Sequence, residues 1–116
     1  RVLVLGLTFK ENLPDLRNTK VVDLIQGLEA RGHRVDVHDV QADPEEARQL
    51  YGIELLPTLD CLKPYHCLVG AVCHADYCKL QGQSFLSLLM PEGLIADIKG
   101  MWRGVSFPKG VKRWQL

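Results

Sequence analysis

The N-terminal segment of this sequence constrains the fold more than any other part of the chain. Residues 2–7 form an apolar run that predicts a buried β-strand. A polar loop over 8–18 follows and carries Lys10, Asp15 and Arg17, and apolar residues at helical spacing then predict a helix over 19–31. Open α/β sheets bind their ligands where strands end, so this loop is the first candidate for a functional site.

The rest of the chain continues the alternation of strands and helices. Further strands are predicted over 34–39, 53–56, 67–73 and 94–98, with helices over 44–51 and 83–90, a turn or short helix over 57–62, and an irregular tail after the last strand. Asn18 or Thr19 is expected to cap the first helix, and Asp43 and Gly52 to bound the second. The pattern predicts one α/β domain over 1–116, with three α/β/α layers and an open, mostly parallel sheet of about five strands.

Charge and hydropathy exclude several classes of partner. The 116 residues carry 14 basic and 14 acidic side chains, so no electrostatic footprint for nucleic acid or an anionic membrane is present. No apolar run approaches the roughly 20 residues of a membrane span, and no signal peptide is visible. Because the chain starts with Arg1 and enters a strand at once, we expect a fragment from the C-terminal part of a longer cytoplasmic protein.

Four cysteines and four histidines raise the question of a metal site. The cysteines, at positions 61, 67, 73 and 78, contain no C-x-x-C pair, and two of them fall in the predicted strand over 67–73. Zinc sites favour close ligand pairs that project from turns. Reduced thiols of a cytoplasmic protein are therefore the favoured interpretation, and no metal is expected.

The first two strands imitate a dinucleotide-binding unit without completing it. Asp39 ends the second strand, where such units carry an acid for the ribose. However, no glycine follows Gly6 before the helix, so the G-x-G-x-x-G sequence that admits a pyrophosphate is absent. The fold is therefore expected to be Rossmann-like without the glycine fingerprint and unable to hold NAD by itself, with Asp39 serving as a turn or cap residue.

Residues 6–20, GLTFKENLPDLRNTK, resemble the opening of a known domain. This is the C-terminal, UDP-binding domain of the UDP-glucose/GDP-mannose dehydrogenase family, whose members oxidise nucleotide sugars at C6 with NAD. The resemblance covers the whole chain. His38-Asp39 is similar to the acid that ends the family's second strand, and residues 68–74 are similar to its fourth strand and the histidine that follows. Residues 96–100 are similar to its last strand and ligand residue, and residues 113–116 resemble the C-terminus of several members.

The resemblance implies roles for four residues. Lys10 and Lys99 would bind the UDP part of the substrate, and Phe9 would line the same pocket or serve only in the core. Arg17 would reach the NAD held mainly by an upstream N-terminal domain, or would only pair with Asp15 and order the loop. Lys10 and Lys99 also follow the first and last predicted strands, and the ends of parallel strands share one edge, so both are expected to converge on one ligand.

The segments TFKEN (8–12) and RNTK (17–20), together with Lys99 where UDP-glucose enzymes carry arginine, resemble the members that oxidise UDP-N-acetylhexosamines for surface polysaccharides. In that family a catalytic cysteine, with lysine and asparagine helpers, carries the substrate through two hydride transfers. No cysteine here follows its motif, so this chain is expected to hold no catalytic residue and to be inactive alone. Its implied partners are the UDP-sugar, its own N-terminal and central domains, and further copies in a homodimer or higher oligomer.

Two other functions stay open at this point. A standalone flavodoxin-like regulatory module, such as a receiver domain, would need clustered acids at strand ends. Asp36 and Asp39 have opposite strand parity, and the first strand ends without an acid pair. A metal-binding module would instead have to use the cysteine and histidine set.

Overall fold

Five parallel strands form one open sheet in the computed structural model, which describes residues 1–59, 64–80 and 82–115. The strands are β1 (Val2–Leu5), β2 (Val35–His38), β3 (Tyr65–Gly70), β4 (Leu89–Asp97) and β5 (Lys112–Gln115), and the helices are α1 (Val21–Ala30), α2 (Pro44–Tyr51), α3 (Ala75–Cys78) and α4 (Gly82–Leu88). The order across the sheet is β2-β1-β3-β4-β5, and every neighbouring pair is parallel. The predicted α/β fold is confirmed.

Alternate side chains of β1 enter two different apolar cores. Val2 and Val4 pack in one core with residues of α1 and α2. Leu3 and Leu5 pack in the other with residues of α3, α4 and the buried Trp102. All four β1 residues are buried, which is why the strand is apolar at consecutive positions rather than at alternate ones. Helices therefore cover both faces of the sheet and make the three layers that the sequence predicts.

The chain changes direction across the sheet after α2. From β1 it passes through α1 to β2 on one side, and Leu55 then makes a single parallel bridge to Val37 of β2. It next returns to place β3 on the other side of β1. The strand predicted over 53–56 is therefore wrong beyond that one bridge. The reversal makes the gap between β1 and β3 the topological switch point of the sheet.

Helix ends follow the local signals. The Asp43 carboxylate accepts from the Glu45 N–H at 3.0 Å, and Gly52 closes α2 with a left-handed φ of 68°. At the start of α1 the Thr19 hydroxyl accepts from the Val21 N–H at 3.2 Å, although the boundary residue of the helix is Lys20. These side chains satisfy N–H groups that have no partner inside the helix. None of the described helices has the length and apolar character needed to cross a bilayer.

The second half of the chain departs from the prediction in several places. The strand predicted over 67–73 occupies Tyr65–Gly70, and the four-residue α3 was not predicted. The helix predicted to run to residue 90 ends at Leu88, because 90–93 form a bulge in β4 between the pairs Tyr65–Leu89 and Cys67–Leu94. The tail predicted to be irregular contains β5, so 94–98 is not the last strand. The turn predicted over 57–62 lies partly outside the described residues.

Trp102 anchors the segment that follows β4. Its side chain is fully buried, its Nε1 donates to the Tyr77 carbonyl at 2.8 Å, and its ring meets Phe85 edge to face at 5.2 Å. Gly70 makes room for the ring, because a Cβ there would lie 2.8 Å from a Trp102 carbon and 2.5 Å from the Met101 Cε. The residue that ends β3 therefore sets where the chain goes after β4.

Gly70→Ala should lower the free energy of unfolding by about 1–3 kcal/mol, because the new methyl group overlaps the buried Trp102 ring. Gly104→Ala is the matched control, since a Cβ at Gly104 meets nothing within 4 Å. Urea unfolding followed by tryptophan fluorescence measures both. Equal midpoints for the two variants would show that the close fit of Gly70 against Trp102 does not hold this segment.

Candidate functional site

A cleft of about 300 Å³ opens at the carboxyl edge of the sheet, next to the switch point between β1 and β3. Its volume lies at the lower end of the range of small-molecule sites, and its position is where open α/β sheets bind ligands. We call it the strand-end cleft. It is lined by Thr8, Phe9, Thr19, Lys20, Val21, Leu24, Ala71, Val72, Ile98 and Lys99.

Three strand ends and one helix supply these walls. Thr8 and Phe9 follow β1, Ala71 and Val72 follow β3, and Lys99 follows β4, while α1 and the two residues before it close the remaining side. Gly6 lets the chain leave β1 here with a φ of 105°, and a Cβ at Gly6 would lie 2.6 Å from the Val72 Cβ. Only glycine allows the segments that follow β1 and β3 to approach each other this closely.

The Asp39 carboxylate lies buried beneath the loop that carries Phe9 and Lys10. Its Oδ2 accepts from the N–H groups of Leu7 and Thr8, at 2.5 and 3.0 Å. Its Oδ1 accepts from the two N–H groups at positions 41 and 42, at 2.7 and 2.9 Å, which confirms its predicted role in the turn. Asp39 thereby links the loop after β1 to the turn after β2.

These contacts set the charge state of Asp39. Burial raises the pKa of the carboxyl group, but hydrogen bonds from His74, Leu7 and Thr8 stabilise the anion and together lower the pKa to about 2. Asp39 is only 7% exposed, so an ion without these donors would be costly there. The carboxylate is thus ionised, holds the loops together through hydrogen bonds, and is not accessible to a ligand.

His74, which is fully buried and follows β3, belongs to the same hydrogen-bond network. Its Nδ1 accepts from the Asn12 N–H at 2.8 Å, so the proton is on Nε2, which lies 3.0 Å from both Asp39 Oδ2 and Thr8 Oγ1. The Asn12 side chain in turn accepts from the Ala75 N–H at 2.8 Å, with Asn12 in a left-handed conformation at φ 60°. His74 therefore fixes the loop above it.

A second buried acid fixes the turn that carries Lys99. The Asp97 carboxylate accepts from the N–H groups of Met101 and Trp102, at 3.0 and 2.9 Å. Gly100 has a φ of 70°, which lets the chain turn directly after Lys99. Since Asp97 and Trp102 are both buried, the backbone at Lys99 is held while its side chain remains exposed.

The predicted substrate residues fall at the expected edge of the sheet, but only part of the set lines the cleft. Phe9, which is 51% exposed, and Lys99 share the strand-end cleft. Lys10 is exposed and its backbone carbonyl accepts from the Thr8 hydroxyl at 3.0 Å, but it is not among the lining residues. The lysine that shares the cleft with Lys99 is Lys20, which the sequence reasoning did not single out.

Arg17 lies at a different depression. Its Nε donates to the Asp15 Oδ1 at 3.2 Å, so the predicted pair forms, and both side chains are well exposed. The backbone N–H of Arg17 also donates to that oxygen, and these bonds lower the pKa of Asp15. The depression, about 530 Å³, is lined by residues of the 13–17 loop and of the start of α2. Arg17 is thus separate from the strand-end cleft.

None of the described acids and thiols behind the other two interpretations lines the strand-end cleft. Asp39 is saturated with hydrogen bonds, and Asp36, which accepts from the Tyr65 hydroxyl at 2.6 Å, lies within β2 rather than after its end. Cys67 lies in β3, whereas Cys73 lies beyond it, and Cys78 ends α3. Cys61 lies outside the described residues. Within 1–59, 64–80 and 82–115, no three histidine, cysteine, aspartate or glutamate side chains are grouped closely enough to hold a metal ion.

Comparison with known proteins identifies the family. The model of the UDP-glucose/GDP-mannose dehydrogenase family, UDP binding domain, matches residues 3–104. The chain belongs to this family.

Relatives of the chain are longer proteins. The chain is 41% identical to Protein CapL of Staphylococcus aureus, over 99% of this chain and 27% of that protein. It is 39% identical to the UDP-N-acetyl-D-glucosamine 6-dehydrogenase of Pseudomonas aeruginosa, over 85% of this chain and 23% of that enzyme. The chain therefore spans about a quarter of the length of these relatives.

A solved structure supports the fold. The UDP-N-acetyl-mannosamine dehydrogenase Cap5O from S. aureus superposes with a TM-score of 0.71 over 98% of this chain and 25% of that one. Sequence identity in that comparison is 21%, so it bears on the fold alone. The comparison agrees with the Rossmann-like arrangement described above.

Asp39→Asn should lower the free energy of unfolding by about 2–3 kcal/mol at neutral pH. A drop in pKa from 3.8 to about 2 corresponds to roughly that stabilisation, and either orientation of the amide points its NH₂ at two backbone N–H donors. The carboxylate is charged above pH 4 in both folded and unfolded chains, so this stability is present there and is lost as the pH falls toward 2. The difference between the two proteins should shrink over that interval.

Glu29→Gln, at an exposed position of α1, is the control for this experiment and should change stability by less than about 0.5 kcal/mol. Urea unfolding at a series of pH values measures all three proteins. A constant difference in the free energy of unfolding between wild type and Asp39→Asn from pH 7 to pH 2 would show that the charge on Asp39 does not hold the loops together.

Proposed function

We propose that this chain binds the UDP part of a nucleotide sugar in the strand-end cleft, as the C-terminal domain of a longer, cytoplasmic NAD-dependent UDP-N-acetylhexosamine 6-dehydrogenase. The observation that carries the proposal is a cleft at the switch point, lined by Phe9 and Lys99, in a chain that the family's UDP binding domain matches over 3–104. The whole enzyme would oxidise the C6 hydroxyl of the sugar to a carboxylate for surface polysaccharide synthesis.

The walls of the cleft suit the two halves of UDP. Val21, Leu24 and Ile98 offer an apolar surface for the uracil ring, and the exposed Phe9 ring is available for stacking. The Lys99 ammonium can contact the diphosphate through charge-assisted hydrogen bonds. Among the described residues, no aspartate or glutamate lines the cleft, so nothing there repels the phosphates.

Lys10 and Arg17 would act outside this cleft. Lys10 follows Phe9 on the loop fastened by Asp39 and His74, so we propose that it contacts the substrate from the mouth of the cleft. Arg17, oriented by Asp15, would contact NAD. The chain's own residues do not form a dinucleotide site, because Gly6 is the only glycine between β1 and α1. NAD would therefore be held mainly by the N-terminal domain.

The reaction itself would take place on residues outside this chain. None of the described cysteines lines the strand-end cleft, so we assign the chain a binding role and the catalytic cysteine to an upstream domain. The N-terminal and central domains, and other copies in an oligomer, would complete the site. The N-acetylhexosamine is proposed because the relatives include UDP-N-acetyl-D-glucosamine 6-dehydrogenases and because Lys99 stands in place of arginine.

Lys99→Met in the full-length protein should weaken UDP binding by about tenfold to a hundredfold, the effect of losing a charge-assisted bond worth about 1.5–3 kcal/mol. Lys109→Met is the control, since its neighbour Gly110 lies against Pro91 near the amino end of β4, away from the cleft. Titration calorimetry with UDP measures the affinities. NADH formation from UDP-GlcNAc, UDP-GalNAc, UDP-ManNAc and UDP-glucose tests the reaction. A wild type that binds no UDP and reduces no NAD with any of the four would overturn the proposal.

A further inference from the structure

Lys20 stands on the helix side of the strand-end cleft and has no place in the binding set given above. It lines the cleft together with Lys99, which enters from the end of β4. We propose that Lys20 is a second phosphate-binding residue, so that the diphosphate is held between the ammonium groups of Lys20 and Lys99. This rests on the proposed function and adds a residue to the same site.

The backbone of Lys20 is held firmly while its side chain is exposed. Its carbonyl accepts from the N–H groups of Asp23 and Leu24, at 3.1 and 3.4 Å, as part of the first turn of α1. The preceding Thr19 is buried, and its hydroxyl accepts from the Val21 N–H. The side chain therefore starts from a fixed backbone position on the cleft wall, so little backbone freedom is lost when the ammonium group binds an anion.

The charge around Lys20 also favours an anionic ligand. Neither Lys20 nor Lys99 forms an ion pair with any carboxylate in the part of the chain that the structure describes. Arg17 and Arg48, by contrast, are paired with neighbouring acids. Two unpaired cations beside an apolar surface, in a chain of zero formal charge, form a local excess that a diphosphate would neutralise.

Lys20 differs from Lys10 in its relation to the cleft. Both are exposed lysines of the segment between β1 and α1, but only Lys20 lines the cleft. Of the cleft residues that follow β1, Thr8 is buried with its hydroxyl bonded to the Lys10 carbonyl, and Phe9 contributes a ring, so neither supplies a cation. The geometry thus places the partner of Lys99 on the helix wall of the cleft.

Calorimetry on the full-length protein tests this with UDP, UMP and uridine. Lys20→Met should weaken UDP binding at least tenfold, weaken UMP less, and leave uridine unchanged, because only the phosphates contact the ammonium group. Lys20→Arg, which retains the positive charge, should retain most of the UDP affinity. Lys109→Met serves again as the control for loss of one positive charge.

The possible outcomes separate the two proposals. If wild type binds UDP and Lys20→Met binds it equally well, the role of Lys20 is overturned and the UDP-binding function stands. An equal loss for UDP and uridine would also overturn it, because the substitution would then act on the shape of the cleft. If wild type binds none of the three ligands, the proposed function itself is overturned.

Discussion

The buried Asp39 carboxylate is the contact on which the rest of the site depends. It accepts hydrogen bonds from the loop after β1, from the turn after β2 and from His74 after β3. β2, β1 and β3 are adjacent in the sheet, so one ionised group links the segments that follow three neighbouring strands. The N–H groups of Leu7, Thr8 and Ala42 that it satisfies would otherwise be buried without a partner, at a cost of about 1–3 kcal/mol each.

This arrangement separates the groups that hold the site from the groups that would meet a ligand. Asp39, His74 and Asp97 are buried and fully engaged with neighbouring backbone or side-chain donors. Lys20 and Lys99 are exposed and unpaired among the described residues, on backbone positions that the buried groups and α1 keep in place. A backbone held in this way favours binding because the segments around the cleft lose little freedom when a ligand arrives.

The sequence predicted the first half of the fold well, because its signals are local. The apolar β1, the periodic α1, and the Asp43 and Gly52 ends of α2 each follow from neighbouring residues. Prediction failed where long-range contacts decide. β5, with the sequence KRWQ, consists of four exposed residues and carries no strand pattern, so only its pairing with β4 makes it a strand. Pro91 and Gly93 are usual helix terminators, but here they lie in a bulge of β4.

The same distinction applies to the site. Lys99 was expected at this edge because residues after parallel strands share one edge, whereas Phe9 was named only through the family resemblance. Lys20 was missed because that rule says nothing about the helix wall of a cleft. The Asp39–His74 contact joins residues 35 positions apart. It could have been inferred only by recognising that β2 and β3 flank β1, which places an acid and a histidine after the two strands beside β1.

The strand order has a consequence for how such a domain is made. Once β1 and β2 have paired, β3, β4 and β5 each join a free edge in the order in which they are synthesised, and none has to insert between two strands already paired. The sheet can therefore grow outward as the chain leaves the ribosome, with the N-terminal part formed first. The wall that carries Lys99 would be the last part of the strand-end cleft to be assembled.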